Sequence, residues 1–149
     1  MYRLPFLLLS FCFILLSTSA CSPRQHLATV ATGQSIDQRL VGTWSGSEAD
    51  DQVKGMQKSW TMARTADGSF TLDFRVTYDN RPSEQFIETG RWWIADGLFH
   101  EFHDISGQTD IYAYKILNKQ QVRFSAQALS GGGDHDDDTY VFVDTKVGK

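Results

Sequence analysis

Short runs of alternating apolar and polar residues, separated by turn residues, cover the chain from Leu40 almost to its end. The clearest run is residues 69–78, where Phe70 and every second residue after it are apolar or aromatic and the residues between are polar. A period of two is typical of a β-strand with one face on a core and the other in water. Seven further strands are predicted, over residues 40–45, 58–64, 85–94, 98–105, 111–117, 121–129 and 139–145.

The connections between these runs are short and rich in turn residues. Asp67-Gly68 and Asp96-Gly97 are hairpin signals, and no long stretch from Leu40 onward has a helical stripe. Sequential strands with short connections predict an antiparallel meander, and closing the meander into a barrel removes its exposed edges. We therefore predict an all-β fold over residues 40–146, an eight-stranded antiparallel up-and-down barrel. Such a barrel has room inside for side chains or one small ligand.

The beginning of the chain has the pattern of a secretory signal peptide. Arg3 precedes an apolar run over residues 4–16, which is too short to span about 30 Å of hydrocarbon, and small residues follow it. Residues 22–38 are rich in Ser, Thr, Gln, Ala and Gly and have neither a strand nor a helix period. The predicted organisation is a signal peptide over 1–20, a flexible tether over 21–39 and a barrel domain over 40–146.

The segment from Thr18 to Cys21 resembles the lipobox of bacterial lipoproteins. In that family the cysteine thiol receives a diacylglyceryl group and the chain is cut just before it. Ser19, Ala20 and Cys21 match the pattern, whereas Thr18 stands where an aliphatic residue is usual. Ordinary cleavage after Ala20, giving a secreted protein, therefore remains the alternative. The resemblance implies a lipid anchor on Cys21 and a place in the bacterial cell envelope, at the outer membrane facing the periplasm.

Gly42-Thr43-Trp44 opens the first predicted strand and resembles the G-x-W motif of the calycin superfamily, which includes the lipocalins, fatty-acid-binding proteins and avidins. In those proteins the tryptophan closes one end of the barrel. The resemblance therefore implies that Gly42 and Trp44 form a barrel-closing motif. The chain departs from the lipocalin pattern in the arginine that lipocalins place against the tryptophan, for which Lys146 is the one candidate counterpart. The resemblance extends to the fold and does not specify a ligand.

Composition excludes several classes of function. The 149 residues carry a net charge of -4, which argues against a nucleic-acid partner because phosphates require a basic face. Cys12 and Cys21 lie within or at the end of the predicted signal, so no disulfide is expected in the mature domain. No nucleophile elbow or phosphate-binding glycine loop is found. We predict no cofactor and no enzymatic activity.

Two polar segments are candidates for chemistry. Because residues three apart on a strand face opposite sides, His100 and His103 are not expected to share a metal ion. Glu101 and His103 share a face. They form either a pair in the cavity, as a hydrolase or isomerase would need, or a solvated outer pair, which is our prediction. In the loop over residues 134–138, alternating aspartates offer oxygen ligands to calcium, but the glycine and glutamate of the calcium-loop template are missing. We predict a solvated loop without a metal.

Aromatic residues are the best candidates for ligand contacts. Trp60, Phe70, Phe74 and Trp92 are predicted to line a cavity for a small apolar or amphipathic molecule. Trp93 must face the opposite side of the strand from Trp92. The expected function is non-catalytic ligand binding by a lipid-anchored envelope protein. The alternative is an assembly module, a barrel filled by its own side chains whose surface contacts an envelope protein.

Overall fold

The computed structural model describes residues 32–49, 54–130 and 140–148. Eight antiparallel strands follow one another around a closed up-and-down barrel, and the last strand pairs with the first. The predicted all-β class, strand number, order and closure are confirmed, with strand ends shifted by a few residues. The strands are β1 (Gly42–Ala49), β2 (Met56–Arg64), β3 (Ser69–Tyr78), β4 (Glu84–Ala95), β5 (Leu98–His103), β6 (Gln108–Asn118), β7 (Gln121–Ala128) and β8 (Val141–Lys146).

Three predictions concern residues outside these ranges, namely the signal peptide over 1–20, the lipid-bearing Cys21 and the aspartate loop over 134–138. Among the residues that the structure does describe, no helix is both long and apolar enough to cross a membrane. Each strand of the barrel pairs with its two neighbours, and Ser35 pairs with β4, so the described segment in front of β1 belongs to the same folded unit as the barrel.

The segment in front of β1 packs against one end of the barrel, called here the closed end. Ser35 pairs with Ile94 of β4, and a single 3-10 turn follows over Gln38–Leu40. Leu40 is fully buried, and its carbonyl oxygen accepts a hydrogen bond of 2.8 Å from the indole Nε1 of Trp44. Residues 35–39 of the segment predicted as a flexible tether are therefore packed at the closed end of the barrel.

The alternation along β3 corresponds to an inner and an outer face. Phe70 and Val76 are buried inside the barrel, whereas Thr71 and Arg75 are exposed on its outer surface. The inner side chains at the closed end form a dense apolar core in which each residue is almost inaccessible to water. The largest members of this core are Leu40, Trp44, Trp92, Phe99, Val122 and Phe124.

At the other end of the barrel, called here the mouth, β4 runs past β5. Gly90 of β4 is paired with His103, the last residue of β5, and the carbonyl of Thr89 accepts a hydrogen bond from the backbone N–H of Asp104, whereas residues 84–88 pair with β3 alone. The turn between β5 and β6, which carries Ile105, stands beside this unpaired edge of β4. A gap in the barrel wall therefore opens at the mouth.

Candidate functional site

A cleft of about 480 Å³ occupies the gap between the upper part of β4 and the β5–β6 turn. One wall is apolar and opens to solvent, since Phe86 and Ile105 are 53% and 79% exposed. Leu72 and Phe74 of β3 complete this apolar wall. The opposite wall is polar and is formed by Glu88, His103, Ser106, Gln108, Asp110 and Ser130. The cleft is therefore amphipathic.

His103 is held between carboxylates on the polar wall. Its Nδ1 lies 3.1 Å from Oε2 of Glu88, and its Nε2 lies 3.3 Å from Oδ2 of Asp110 and 3.7 Å from Oε1 of Glu101. These carboxylates belong to β4, β6 and β5, so the histidine links the upper part of β4 to the β5–β6 hairpin. The prediction of a solvated outer pair for Glu101 and His103 is wrong. Strand parity places both on one face, and that face is the inner one.

Charge and burial shift the pKa values of this cluster. The pKa of His103 is raised from 6.5 to about 9, chiefly by its contact with Asp110, which together with the neighbouring glutamates outweighs burial. Burial raises the pKa of Glu101 from 4.5 to about 7, despite the attraction of nearby cations. Burial also opposes ionisation of Asp110, but His103 and a hydrogen-bonding serine outweigh it and lower the pKa of Asp110. At neutral pH the imidazolium of His103 is therefore surrounded by carboxyl groups.

Deeper in the barrel, an ion pair crosses the interior. Nη2 of Arg64 donates to Oδ2 of Asp144 at 2.8 Å, and the two side chains are 1% and 0% exposed. The indole Nε1 of Trp60 donates to the other oxygen, Oδ1, at 2.7 Å. The guanidinium carbon of Arg64 lies 5.1 Å from the ring centres of Phe99 and Phe124. Sequence analysis missed this pair because its members are 80 positions apart. The one available signal was that both residues fall at strand positions that face the barrel interior.

The remaining space inside the barrel is small. A void of about 90 Å³ lies beside the ion pair and is lined by Trp60, Phe74, Glu101, Tyr112 and their neighbours. This volume holds a few water molecules, whereas sites for small organic ligands usually measure about 300–1,000 Å³. Where residues 32–49, 54–130 and 140–148 form it, the interior is therefore mostly filled by side chains, and the cleft at the mouth is larger than the interior void.

The four aromatic residues that the sequence predicts as ligand contacts lie at different depths. Phe74 lines both the cleft and the interior void, and Trp60 lines the void. Phe70 and Trp92 are 2% and 1% exposed, belong to the closed-end core and line neither space, although the ring of Phe70 packs edge-on against His103 of the cleft wall, with ring centres 5.8 Å apart. Phe86, which the sequence analysis did not single out, faces Phe74 across β3 and β4 and lines the cleft.

Gly42, Trp44 and Lys146 lie together at the closed end. Nζ of Lys146 is 5.2 Å from the ring centre of Trp44, a cation–π contact. Gly42 has a φ of 129°, and a Cβ atom there would come within 3.0 Å of Cε of Lys146. A glycine is therefore needed both for the backbone conformation and for the close approach of the lysine.

His100 and His103 lie on opposite faces of β5, as strand parity predicts. His100 stacks on Trp93 outside the barrel, with ring centres 5.3 Å apart, whereas Trp92 on the other face is buried. Within the described ranges, no three His, Cys, Asp or Glu side chains are placed to hold a metal ion.

No protein-family model matches this chain, and no curated protein is significantly similar to it in sequence. Its function is therefore inferred from the geometry of the cleft. That geometry offers an apolar surface beside a group of hydrogen-bond acceptors, an arrangement that suits binding of an amphipathic molecule.

Proposed function

We propose that this protein binds a small amphipathic molecule without catalysis and that the ligand occupies the mouth cleft. The observation that carries the proposal is an open cleft of about 480 Å³ with one apolar and one charged wall, beside an interior space of about 90 Å³ among the described residues. The apolar part of the ligand lies on Phe74, Phe86 and Ile105. Its polar end meets the carboxylates of Glu88 and Asp110.

The carboxyl groups favour a polar end that carries hydrogen-bond donors or a positive charge. Both ring nitrogens of His103 already face carboxylates, so the imidazolium is not available to an anionic ligand. Glu101, the carboxyl group with a pKa near neutrality, borders the interior void and not the cleft. A ligand in the cleft would therefore meet Glu88, His103 and Asp110 before Glu101.

Native mass spectrometry tests the proposal on residues 32–149, exported to a bacterial periplasm and purified without detergent. We expect an additional mass that disappears when the protein is denatured. A bare apo mass that persists after incubation with a lipid extract would contradict ligand binding.

Replacement of Phe86 by serine is expected to weaken the affinity for the ligand at least tenfold. The ring covers the apolar part of the ligand, and loss of a buried phenylalanine contact costs about 2 kcal/mol, where 1.4 kcal/mol is a factor of ten. The matched control is Ile87→Ser. Ile87 is the next residue on the same strand and is 65% exposed on the outer face. Ligand retention measured by native mass spectrometry should fall in the first variant alone, and an equal fall in both would place the ligand elsewhere.

A second candidate function is contact with an envelope protein. Phe86, Ile87 and Ile105 are all strongly exposed at the mouth, and exposed apolar patches are typical of protein interfaces. In native mass spectrometry, an assembly module of this kind would show the mass of the protein without a ligand. Phe86→Ser and Ile87→Ser would then weaken partner capture to the same degree.

We propose from the lipobox resemblance that a lipid on Cys21 anchors the protein in the bacterial cell envelope, at the outer membrane facing the periplasm. Cys21→Ser removes the thiol that would be lipidated, so the full-length protein is expected to move from the membrane fraction to the soluble periplasm. Cys12→Ser, within the predicted signal, is the control and should leave the protein in the membrane fraction. Identical fractionation of the two variants would refute the anchor.

A further inference from the structure

We propose that one corner of the closed end docks on an anionic lipid surface. This basic corner consists of Lys115, Lys119, Arg123 and Lys146. None of the four has an ion-pair partner within the part of the chain that the structure describes, although other surface cations of the protein do. The corner therefore presents uncompensated positive charge in a protein whose net charge is -4.

The arrangement of two of these cations calls for an external anion. Lys115 and Arg123 are exposed and lie directly opposite each other across β6 and β7. Like charges at such positions repel and destabilise a sheet. The outward-facing described positions of β6, β7, β8, β1 and β2 include no aspartate or glutamate. No carboxylate on these described outward positions relieves the repulsion, and a surface that carries anions would do so.

Exposed aliphatic side chains lie among the cations. Leu117, Val143 and Val147 are 45%, 38% and 50% exposed, and Val143 is paired with Arg123. Cations mixed with aliphatic side chains are typical of surfaces that contact both the headgroups and the upper acyl region of a bilayer. This mixture favours a lipid surface over a nucleic acid, because the phosphates of a nucleic acid require cations and do not require exposed aliphatic side chains.

The position of the corner agrees with the proposed anchor. Lys119 and Lys146 border a recess of about 450 Å³ at the closed end, and the segment that begins at Ser35 packs on the same end and lines this recess through Arg39. Cys21 precedes Ser35 by 35 − 21 = 14 residues, a reach of at most about 50 Å. The distance argument from Cys21 to Ser35 rests on the proposed lipid anchor, whereas the argument from the charges of the basic corner is independent of it.

Vesicle flotation at low salt tests the docking with residues 32–149, which lack the anchor. We expect binding to vesicles of phosphatidylglycerol and phosphatidylcholine and none to pure phosphatidylcholine. Each basic residue near an anionic bilayer raises the binding constant about fivefold. The triple variant K115Q/K119Q/R123Q should therefore weaken vesicle binding about a hundredfold. The control K54Q/R75Q/R81Q removes three exposed charges at and towards the mouth and should bind as the parent does.

Several results would overturn the docking. They are equal binding to neutral vesicles, no weakening by high salt, and equal loss in the two triple variants. Retention on an immobilised polyanion without vesicle binding would assign the corner to an acidic macromolecule and likewise overturn the lipid proposal. Ligand occupancy of the mouth cleft is measured separately, so failure of one proposal leaves the other distinguishable.

Discussion

Replacement of Asp144 by alanine is expected to lower the free energy of unfolding by about 3–5 kcal/mol, because it leaves a buried charge without its partner. Asp144 is completely inaccessible and accepts hydrogen bonds from Arg64 and from Trp60. Without it, the guanidinium of Arg64 would stay inside the barrel with no anion in contact. Urea unfolding followed by tryptophan fluorescence measures the change.

Two further variants make this prediction specific to the buried pair. Asp73→Asn breaks the exposed contact with Arg75, whose side chain is 56% accessible, and should cost less than about 1 kcal/mol. Arg64→Met combined with Asp144→Leu removes both charges and replaces them with apolar groups. That double variant should be more stable than Asp144→Ala alone. If it is less stable, the charges themselves and not their pairing stabilise the barrel.

Glu101→Gln is expected to stabilise the protein by about 3 kcal/mol at pH 8 and to have little effect at pH 4. The carboxyl of Glu101 titrates near 4.5 in the unfolded chain and near 7 in the barrel. Between these values the folded state retains a proton that the unfolded chain releases, so stability falls as the pH rises through this range. Above pH 7 the folded protein holds a buried carboxylate, which glutamine replaces with a neutral group of similar shape.

The measurement is urea unfolding of both proteins at pH 4 and pH 8, with Glu84→Gln as the control because Glu84 is exposed on β4. The raised pKa of His103 acts in the same direction, since its contribution is complete below pH 6.5 and disappears as the pH rises through about 9. His103 is present in both proteins, so the difference between the parent and Glu101→Gln isolates the contribution of Glu101 to the pH dependence. An equal stability difference at both pH values would show that Glu101 does not titrate near neutrality.

The strands are predictable from the sequence because alternation and turn chemistry are local properties. The β3 strand is observed over Ser69–Tyr78, as predicted, since its side chains alternate strictly between inside and outside. Asp67-Gly68 and Asp96-Gly97 form the expected hairpin turns, and φ is 83° at Gly68 and 77° at Gly97. These conformations favour glycine in any sequence context.

Depth along the barrel axis is not predictable in this way. Phe70 and Phe74 have the same parity, yet one lies in the closed-end core and the other at the mouth cleft. The cleft exists because β4 overshoots β5, which depends on the register between strands and not on either strand alone. The surroundings of Glu101 depend on the same register. The register between β4, β5 and β6 decides that Glu88, Glu101 and Asp110 all face His103.

The order in which the barrel assembles follows from the way β1 meets β8. These strands share two register pairs, Trp44 with Lys146 and Ser45 with Thr145, so the ladder that closes the barrel is short. Asp144 on β8 accepts hydrogen bonds from Trp60 and Arg64 on β2. Because β1 lies between β8 and β2, these hydrogen bonds connect the two neighbours of β1 across the barrel interior. Contacts between residues a hundred positions apart carry a large loop-closure entropy and form late in folding. Interactions that form late in folding act on the unfolding rate more than on the folding rate, so the polar side chains that join the two ends of the domain are expected to set the lifetime of the folded state.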